Sequence, residues 1–309
     1  MINRRTIKMK KLILSIVVIP TLLVACNNSD VPLIVATPSF TETPQSPQPI
    51  TEPTVTQIFE TISVPTMLSA ESEMYTDEFL ETNGGCSLPC VWSIVPSKTN
   101  YSDALLFFEH LGWTGGESFG YYSTGKDFND FRLAIRINIY SSKRDVVDKI
   151  HVGIGGIGYT EKVKYFSIDN VIKTLGRPTE VYVFIGVSPG IHEPDQTSFE
   201  ILLYYENKNM LVEYTGTAVK VATKYRVCPA YPNAESEAVD THSGNVSLYV
   251  GTENQIYTLQ ELVQPFWSLP DYYISVDKAF GLNADQYSKK ISQGGKDTCF
   301  ESPLSAWSR

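Results

Sequence analysis

The clearest pattern in the chain is an alternation of hydrophobic and polar residues over 131–140, where nearly every second residue is Phe, Leu or Ile. A period of two is typical of an antiparallel strand with one buried face. Polar residues at 141–145 predict a turn, and apolar positions over 150–154 predict a second strand. Before these strands, apolar residues recur at helical spacing over 99–111, so we predict a helix that ends at Gly112.

The same order of elements recurs about 64 residues later. Ser167 is followed by apolar residues at helical spacing up to Leu175. Gly176 and Pro178 then stop this second helix, because glycine adopts the left-handed conformation of a helix end and proline cannot donate a helical hydrogen bond.

Three more strands are predicted after the second helix, at 181–187, 199–206 and 210–215. Asn207-Lys208-Asn209 is the predicted hairpin turn between the last two. We therefore predict an α+β fold with two tandem units, residues 86–160 and 161–216, each a helix packed on an antiparallel meander.

The segment S-I-D-N-V-I-K-T-L-G-R-P at 167–178 resembles a helix-to-strand junction of known proteins. It is similar to the junction in the SmpA/BamE small outer-membrane lipoproteins and in the tandem units of secreted β-lactamase inhibitory proteins. This resemblance implies the helix-on-meander fold of each unit and no particular activity. The C-x-L-P-C-x-W-x-I-x-P segment at 86–96 and Cys-Phe-Glu-x-Pro at 299–303 also resemble segments of bacterial lipoproteins that have no assigned activity.

The C-terminal extension, residues 217–309, combines strands with short helices. Alternating residues predict strands at 219–227 and 246–250. Three short helices are predicted at 258–266, 275–280 and 283–291, and we expect them to pack on the sheet.

The N-terminus has the three parts of an export signal. Residues 1–11 carry five basic residues and no acid, and residues 12–23 are apolar. Twelve apolar residues are too few to span a bilayer but are typical of a signal peptide. The following Leu-Val-Ala-Cys resembles the lipobox of bacterial lipoproteins. This resemblance implies that residues 1–25 are removed and that Cys26 carries the lipid, palmitate included, on the extracytoplasmic side of a bacterial membrane.

Residues 26–70 are rich in Pro, Thr and Ser, with seven prolines between 27 and 69. Such a segment buries too little apolar surface to fold, so it is predicted to be a disordered tether before a globular domain at 71–309. The whole chain has a net charge of −9, and loss of residues 1–25 leaves 20 Lys and Arg against 34 Asp and Glu, or −14. This acidity argues against nucleic acid as a partner, and it leaves the lipid as the membrane attachment.

Four cysteines remain once Cys26 is lipidated, at positions 86, 90, 228 and 299. An even number in an exported protein favours two disulfides, and four cysteines allow three pairings. We favour Cys86 with Cys90 and Cys228 with Cys299. The C-x3-C spacing differs from the C-x2-C of redox sites, and no histidine pair nearby suggests zinc.

Several sequence motifs resemble functional sites but lack the context that those sites require. The G-x-G-x-x-G at 153–158 is followed by a helix only near Ser167, too late for a dinucleotide site. The S-x-x-K at 123–126 has neither partner motif of a penicillin-recognising enzyme and is interpreted as a loop. The four histidines, 110, 151, 192 and 242, form no metal-binding or triad motif, so no catalytic, cofactor or metal residue is assigned.

Tyrosine is the residue type that most favours a binding role, with 18 in the chain. A pair of adjacent tyrosines on a strand points to opposite faces, so exposed tyrosines on an open sheet face are one interpretation. The candidate binding face is Tyr182, Tyr204, Tyr205 and Tyr214. The alternative is a sheet whose second face is covered by the C-terminal helices.

The sequence thus favours a membrane-anchored, non-catalytic binding module of the cell envelope. Its partner would be an envelope protein, a peptide or a glycan. The rival interpretation is a secreted hydrolase whose catalytic residues are too scattered in the sequence to form a motif. Two carboxylates with opposed pKa shifts in one cleft, or a Ser/His/acid cluster, would favour the hydrolase.

Overall fold

The computed structural model describes residues 66–128, 133–156, 163–186, 195–229, 245–294 and 298–307. All of them belong to one compact unit. The predicted signal peptide, Cys26 and the tether up to residue 65 lie outside the described residues. The predicted α+β class is confirmed, since both helices and an antiparallel sheet are present.

Six helices and eleven strands make up the described fold. The helices are α1 (Ser69–Thr82), α2 (Tyr101–His110), α3 (Ile168–Leu175), α4 (Leu259–Val263), α5 (Val276–Phe280) and α6 (Ala284–Gly294). The strands are β1 (Thr114–Ser118), β2 (Tyr121–Phe128), β3 (Leu133–Tyr140), β4 (Lys149–Gly156), β5 (Glu180–Gly186), β6 (Gln196–Tyr205), β7 (Met210–Val221), β8 (Lys224–Val227), β9 (Asn245–Gly251), β10 (Ile274–Ser275) and β11 (Phe300–Pro303).

One sheet contains all eleven strands. Its main path runs β1-β2-β3-β4-β9-β7-β6-β5-β10, and β8 joins β11 to β7 beside this path. Each of α2 and α3 precedes a run of antiparallel strands in the chain. The two runs are parts of one continuous sheet because β9 pairs with β4 on one side and β7 on the other.

The main core lies between one face of the sheet, here called the helical face, and the helices. The alternation in β3 places Ile135, Ile137 and Ile139 on this face, where each is at most 1% exposed. They belong to the same cluster as Phe108 of α2 and Val171 of α3. Burial of these branched side chains, each contributing roughly 2 kcal/mol, stabilises the helix-on-sheet arrangement that the sequence predicts.

The opposite face of the sheet, the second face, is partly covered by residues 252–273, here called the cover segment. A smaller apolar cluster joins Leu202 of β6 and Leu211 of β7 to Leu262 and Val263 of α4. The turn residue Asn209 anchors the cover segment, because its side-chain amide donates to the carbonyls of Thr252 and Gln255. C-terminal residues therefore do cover part of this face.

The C-terminal extension contributes strands to the sheet as well as covering it. The strand predicted at 246–250 is present as β9, and it lies in the interior of the sheet between β4 and β7. The strand predicted at 219–227 is divided, because Ala222, with a φ of 55°, turns the chain from β7 into β8. The pairing of distant strands is a tertiary feature that the local pattern does not contain.

Two elements differ from the sequence prediction near the N-terminal end of the domain. Helix α1 begins at Ser69, inside the segment predicted as tether, and buries Ser72 and Thr76 beside Phe79 and Leu80. Because the buried face of α1 carries hydroxyl residues as well as apolar ones, the sequence there lacks the apolar repeat that predicts a helix. The Ser72 hydroxyl donates to the Leu111 carbonyl at 2.7 Å, which satisfies it in the interior.

The stretch 123–126, predicted as a loop, belongs to strand β2, so that prediction is wrong. Its pairing with both β1 and β3 overrides the low strand preference of its glycine and polar residues.

Both predicted cysteine pairs are joined in the structure. Cys86 is bonded to Cys90, and Cys228 to Cys299. The second bond connects the end of β8 to the start of β11, which pair directly. Two disulfides indicate an oxidising, extracytoplasmic environment.

Candidate functional site

The tyrosines predicted as a binding face do not form one. Tyr204, Tyr205 and Tyr214 are each at most 5% exposed, and Tyr182 is half-buried. Tyr205 and Tyr214 point into the main core, where the Tyr214 hydroxyl donates to the Phe166 carbonyl at 3.0 Å. Tyr204 lies under the cover segment and donates to the Tyr257 carbonyl. The prediction of exposed tyrosines is therefore wrong, because both faces of β6 and β7 are packed at these positions.

A row of four residues crosses the second face beside the cover segment. Arg136 of β3 is opposite Gly153 of β4, Gly153 is opposite Ser247 of β9, and Ser247 is opposite Glu213 of β7. We call this row the polar strip. Three inter-strand steps separate its ends by about 14 Å. Exposure rises from Glu213, at 9%, through half-buried Gly153 and Ser247 to exposed Arg136.

Aromatic side chains line one side of the polar strip. Tyr249 lies two residues from Ser247 on β9, with the Trp267 ring centroid 6.3 Å from its own and the Phe266 centroid at 6.5 Å. Trp267 in turn meets Tyr273 edge-on at 6.2 Å. We call Tyr249, Phe266, Trp267 and Tyr273 the aromatic wall. Three of its members are half-buried, so part of their ring surface is exposed to solvent.

Two carboxylates lie at the inner end of the strip. Glu213 and Glu200 are diagonal neighbours on β7 and β6, since Glu213 faces Leu202 across the two strands and Glu200 faces Thr215. Burial first, and then the charge of Glu200, raise the pKa of Glu213 to about 7, while hydrogen bonds with Ser247 and Tyr249 oppose the rise.

Glu200 is the more accessible of the two carboxylates. Burial also raises the pKa of Glu200, which accepts a hydrogen bond from the Tyr273 hydroxyl. Among the described residues, no lysine or arginine pairs with either glutamate. The pair therefore retains acceptor oxygens and holds a proton near neutral pH.

His151 lies on β4, two residues before Gly153, and borders the polar strip on the side of Tyr249. Its ring stacks on Tyr249 with centroids 4.4 Å apart, and Nδ1 lies 2.8 Å from the Asn138 amide nitrogen. Burial lowers the pKa of His151 to about 4, so the imidazole is neutral at pH 7. Its Nε2 is buried without a partner in the described part of the chain. His151 is thus bound to neither a serine nor a carboxylate, unlike the base of a catalytic triad.

A cleft of about 250 Å³ opens at the Arg136 end of the strip, lined by Thr114, Ser123, Thr124, Gly125, Asp127 and Arg136. The Arg136 guanidinium donates to Asp127 at 2.6 Å, and the two side chains are 48% and 67% exposed. This end of the strip is therefore open, polar and of mixed charge. Gly153 extends the open surface, since a Cβ placed there would meet no atom closer than 3.9 Å.

Among the described residues, those of the rejected motifs do not come together at one site. Ser123 and Lys126 are three residues apart on β2 and point to opposite faces. Gly153, Gly155 and Gly156 belong to strand β4, and Gly158 lies outside the described residues. His110 is the last residue of α2, whereas His192 and His242 lie outside the described residues. Across the ranges that the structure describes, no group of three His, Cys, Asp or Glu residues could hold a metal ion.

The carboxylate pair is a feature that sequence analysis did not identify. Glu213 stands alone between hydrophobic residues in a segment that predicts an ordinary strand with outward polar positions. Glu200 has the same context. Only the pairing of β6 with β7, and the cover segment above them, bring the two together. Both pKa values move upward, whereas a general acid and a carboxylate nucleophile require environments that separate their pKa values.

Comparisons of the chain with protein-family models, with curated proteins and with solved structures found no match. Within the described residues, none of the helices combines the length and the apolar character needed to cross a bilayer.

Proposed function

We propose that this protein is a lipid-anchored, extracytoplasmic, non-catalytic binding module that holds a glycan on the second face of its sheet. The observation that carries the proposal is the polar strip. Gly153 and Ser247 give it a floor of small residues, with the Arg136 guanidinium at one end and the Glu213 and Glu200 carboxyl groups at the other. Binding sites of this kind combine an apolar or aromatic lining with a few placed polar groups.

The anchoring part of the proposal follows from the N-terminal sequence. The Leu-Val-Ala-Cys segment at 23–26 resembles a lipobox, and the Pro-rich residues after it would act as a tether. A tether of about 40 residues has a root-mean-square length of about 35 Å as a flexible coil, which keeps the domain near the membrane yet free to reorient. The two disulfides fit this location.

A glycan suits the polar strip because a sugar has both polar hydroxyl groups and an apolar ring face. Sugar hydroxyls donate to carboxylate oxygens, which the more accessible Glu200 supplies, and accept from guanidinium groups, which Arg136 supplies. The apolar face of a sugar ring can pack on an aromatic ring such as that of Trp267. The distance of about 14 Å along the strip gives room for more than one sugar ring.

The BamE-like and β-lactamase-inhibitor-like interpretation of the helix-and-meander units belongs to this proposal as well. In it, α2 with the strands after it and α3 with the strands after it are two related units. What supports it is the shared order of a helix followed by antiparallel strands. That resemblance concerns the fold of the units, and the proposed binding role is carried by the polar strip.

A site-specific cross-linking experiment tests this function. A photoreactive phenylalanine replaces Ala134, which is half-buried on β3 beside Arg136, and a matched control replaces exposed Lys289 on α6, in the helical layer. Irradiation of intact cells should give an adduct only from position 134, and muramidase or another glycan hydrolase should shift its mass. An adduct sensitive only to protease, equal adducts from both positions, or no adduct at 134 would overturn the glycan proposal.

A further inference from the structure

The loop closed by Cys86 and Cys90 is held in place by contacts other than the disulfide. Asn83, fully buried at the end of α1, donates its amide hydrogens to the Cys86 carbonyl at 2.9 Å and to the Cys90 carbonyl at 2.7 Å. Its side-chain oxygen accepts from the Trp92 N–H at 3.1 Å. One side chain therefore fixes both ends of the loop and Trp92, two residues after it.

A second side chain holds the same loop from the other side. The Tyr165 hydroxyl donates to the Cys86 carbonyl at 3.2 Å and accepts from the Leu88 N–H at 3.3 Å. Tyr165 is 77 residues further along the chain from Leu88, so these bonds connect the loop to the rest of the domain. These hydrogen bonds hold the loop in addition to the sulfur–sulfur bond, so we expect Cys86 and Cys90 to stay close together when that bond opens.

The two sulfurs differ in their surroundings. Two N–H groups donate to Cys86 Sγ, that of Ser93 at 3.3 Å and the Asn83 side-chain amide at 3.4 Å, while one acceptor, the Asn83 carbonyl oxygen, lies 3.4 Å from the same sulfur. Among residues that the structure describes, none donates to Cys90 Sγ. Hydrogen bonds to the charged form of a group stabilise that form, so Cys86 is the better thiolate and the better leaving group. Both cysteines are half-buried and Ser87 between them is exposed, which gives a thiol access from solvent.

The second disulfide has a different role. Cys228 and Cys299 are 71 residues apart, whereas Cys86 and Cys90 are four apart. Arg226 lies near Cys299, with its Nη2 atom 3.8 Å from Sγ, so a polar neighbour by itself does not distinguish the two bonds. The length of the closed loop distinguishes them, because breaking a disulfide that closes a long loop gives the unfolded chain far more conformational entropy.

We propose that the Cys86–Cys90 disulfide is a site of reversible thiol–disulfide exchange with a dithiol, and that Cys86 is the leaving group. The thiolate of the dithiol attacks Cys90 Sγ, a mixed disulfide forms, and the Cys86–Cys90 bond breaks with its electron pair on Cys86 Sγ. The second thiol of the dithiol then attacks the dithiol's other sulfur, which is bonded to Cys90 in the mixed disulfide, and Cys90 leaves as a thiolate. The dithiol is oxidised to a disulfide, and Cys86 and Cys90 take up two protons in total.

Graded reduction of the full mature chain tests the proposal. The protein is equilibrated with increasing dithiothreitol, alkylated with iodoacetamide and mapped by mass spectrometry. Cys86 and Cys90 should be alkylated at a dithiothreitol concentration at least tenfold below that needed for Cys228 and Cys299, and their bond should re-form when the dithiol is removed. Simultaneous reduction of both bonds, or earlier reduction of Cys228–Cys299, would overturn the proposal.

A second measurement identifies the leaving sulfur. The Cys90→Ala variant leaves Cys86 as a thiol, and the matched Cys86→Ala variant leaves Cys90. The alkylation rate of the remaining thiol is followed against pH in each. The Cys86 thiol should have its midpoint at least one pH unit below that of the Cys90 thiol. Equal midpoints, or the reverse order, would show that Cys86 is not the preferred thiolate.

Discussion

Glu213 on β7 lies diagonally across from Glu200 on β6, and no basic residue in the described part of the chain neutralises the pair. Two carboxylates in a partly desolvated site cannot both ionise easily. The arrangement keeps a proton on the pair near neutral pH, and this has a measurable consequence for stability.

The first prediction is that the domain becomes less stable as pH rises toward 7. The pKa of Glu213 is about 7 in the folded state, above its ordinary value of 4.5. Between these values the folded state holds a proton that the unfolded state releases, so this stabilisation is complete below pH 4.5 and is lost as pH passes through 7. The loss amounts to about 3 kcal/mol.

Urea unfolding of the wild type and of Glu213→Gln at several pH values measures this effect. Glutamine is neutral and of the same size, so the variant should lose this pH dependence and be the more stable protein at pH 8. Glu206→Gln, an exposed residue in the turn after β6, is the control and should leave the dependence intact. A Glu213→Gln variant with the wild-type pH profile would show that Glu213 is ionised throughout.

A second prediction concerns the attachment of the cover segment. Asn209 is 5% exposed, and its side chain joins the turn after β6 to Thr252, Gln255 and Tyr257. Asn209→Ala leaves two carbonyls and one N–H without partners and should lower the free energy of unfolding by about 3 kcal/mol. Exposed Asn207→Ala is the matched control and should change it by less than about 0.5 kcal/mol. Equal effects of the two substitutions in urea unfolding would refute this role.

A third prediction concerns the long-range disulfide. Replacing both Cys228 and Cys299 by Ala removes the link across 71 residues and should lower the free energy of unfolding by about 4 kcal/mol. The matched double replacement of Cys86 and Cys90 should cost about half as much, since that bond closes a much shorter loop. Denaturant unfolding of both variants under non-reducing conditions measures the difference, and a larger loss for the Cys86/Cys90 variant would contradict it.

The fourth prediction is that Cys26→Ala abolishes lipid attachment and the cut before residue 26. Mass spectrometry of the mature protein and its partition into detergent report both changes. Inhibition of the lipoprotein signal peptidase should cause an uncut, lipidated precursor to accumulate in the wild type. A mature mass and membrane partition that neither treatment changes would show that the N-terminus has been misinterpreted.

The sequence predicts those parts of the fold that depend on local pattern. Strand β3 is identified by its alternation of apolar residues, and α3 by Ser167, Gly176 and the apolar repeat between them. Helix α1 was missed because hydroxyl residues occupy its buried face, and the place of β9 inside the sheet depends on strand pairing across more than 90 residues.

The candidate site was harder to predict than the fold. Each residue of the polar strip occupies an unremarkable outward position on its own strand, at 136, 153, 213 or 247. Their alignment depends on the register of four strands, and only β3 and β4 of these are consecutive in the chain. The predicted tyrosine face failed for the same reason, because the sequence does not show that a later segment covers Tyr204.

Cross-linking from position 134 in the presence of Gly153→Val tests the central claim most directly. Valine suits a strand, and a Cβ at Gly153 meets no atom closer than 3.9 Å, so the variant should fold while its side chain fills the middle of the polar strip. Gly116→Val is the matched control on edge strand β1, where a Cβ meets nothing within 4 Å. We expect the glycan adduct to be lost in Gly153→Val and kept in Gly116→Val, with melting temperatures within a few degrees of the wild type. An undiminished adduct in a folded Gly153→Val protein would contradict ligand binding on the strip.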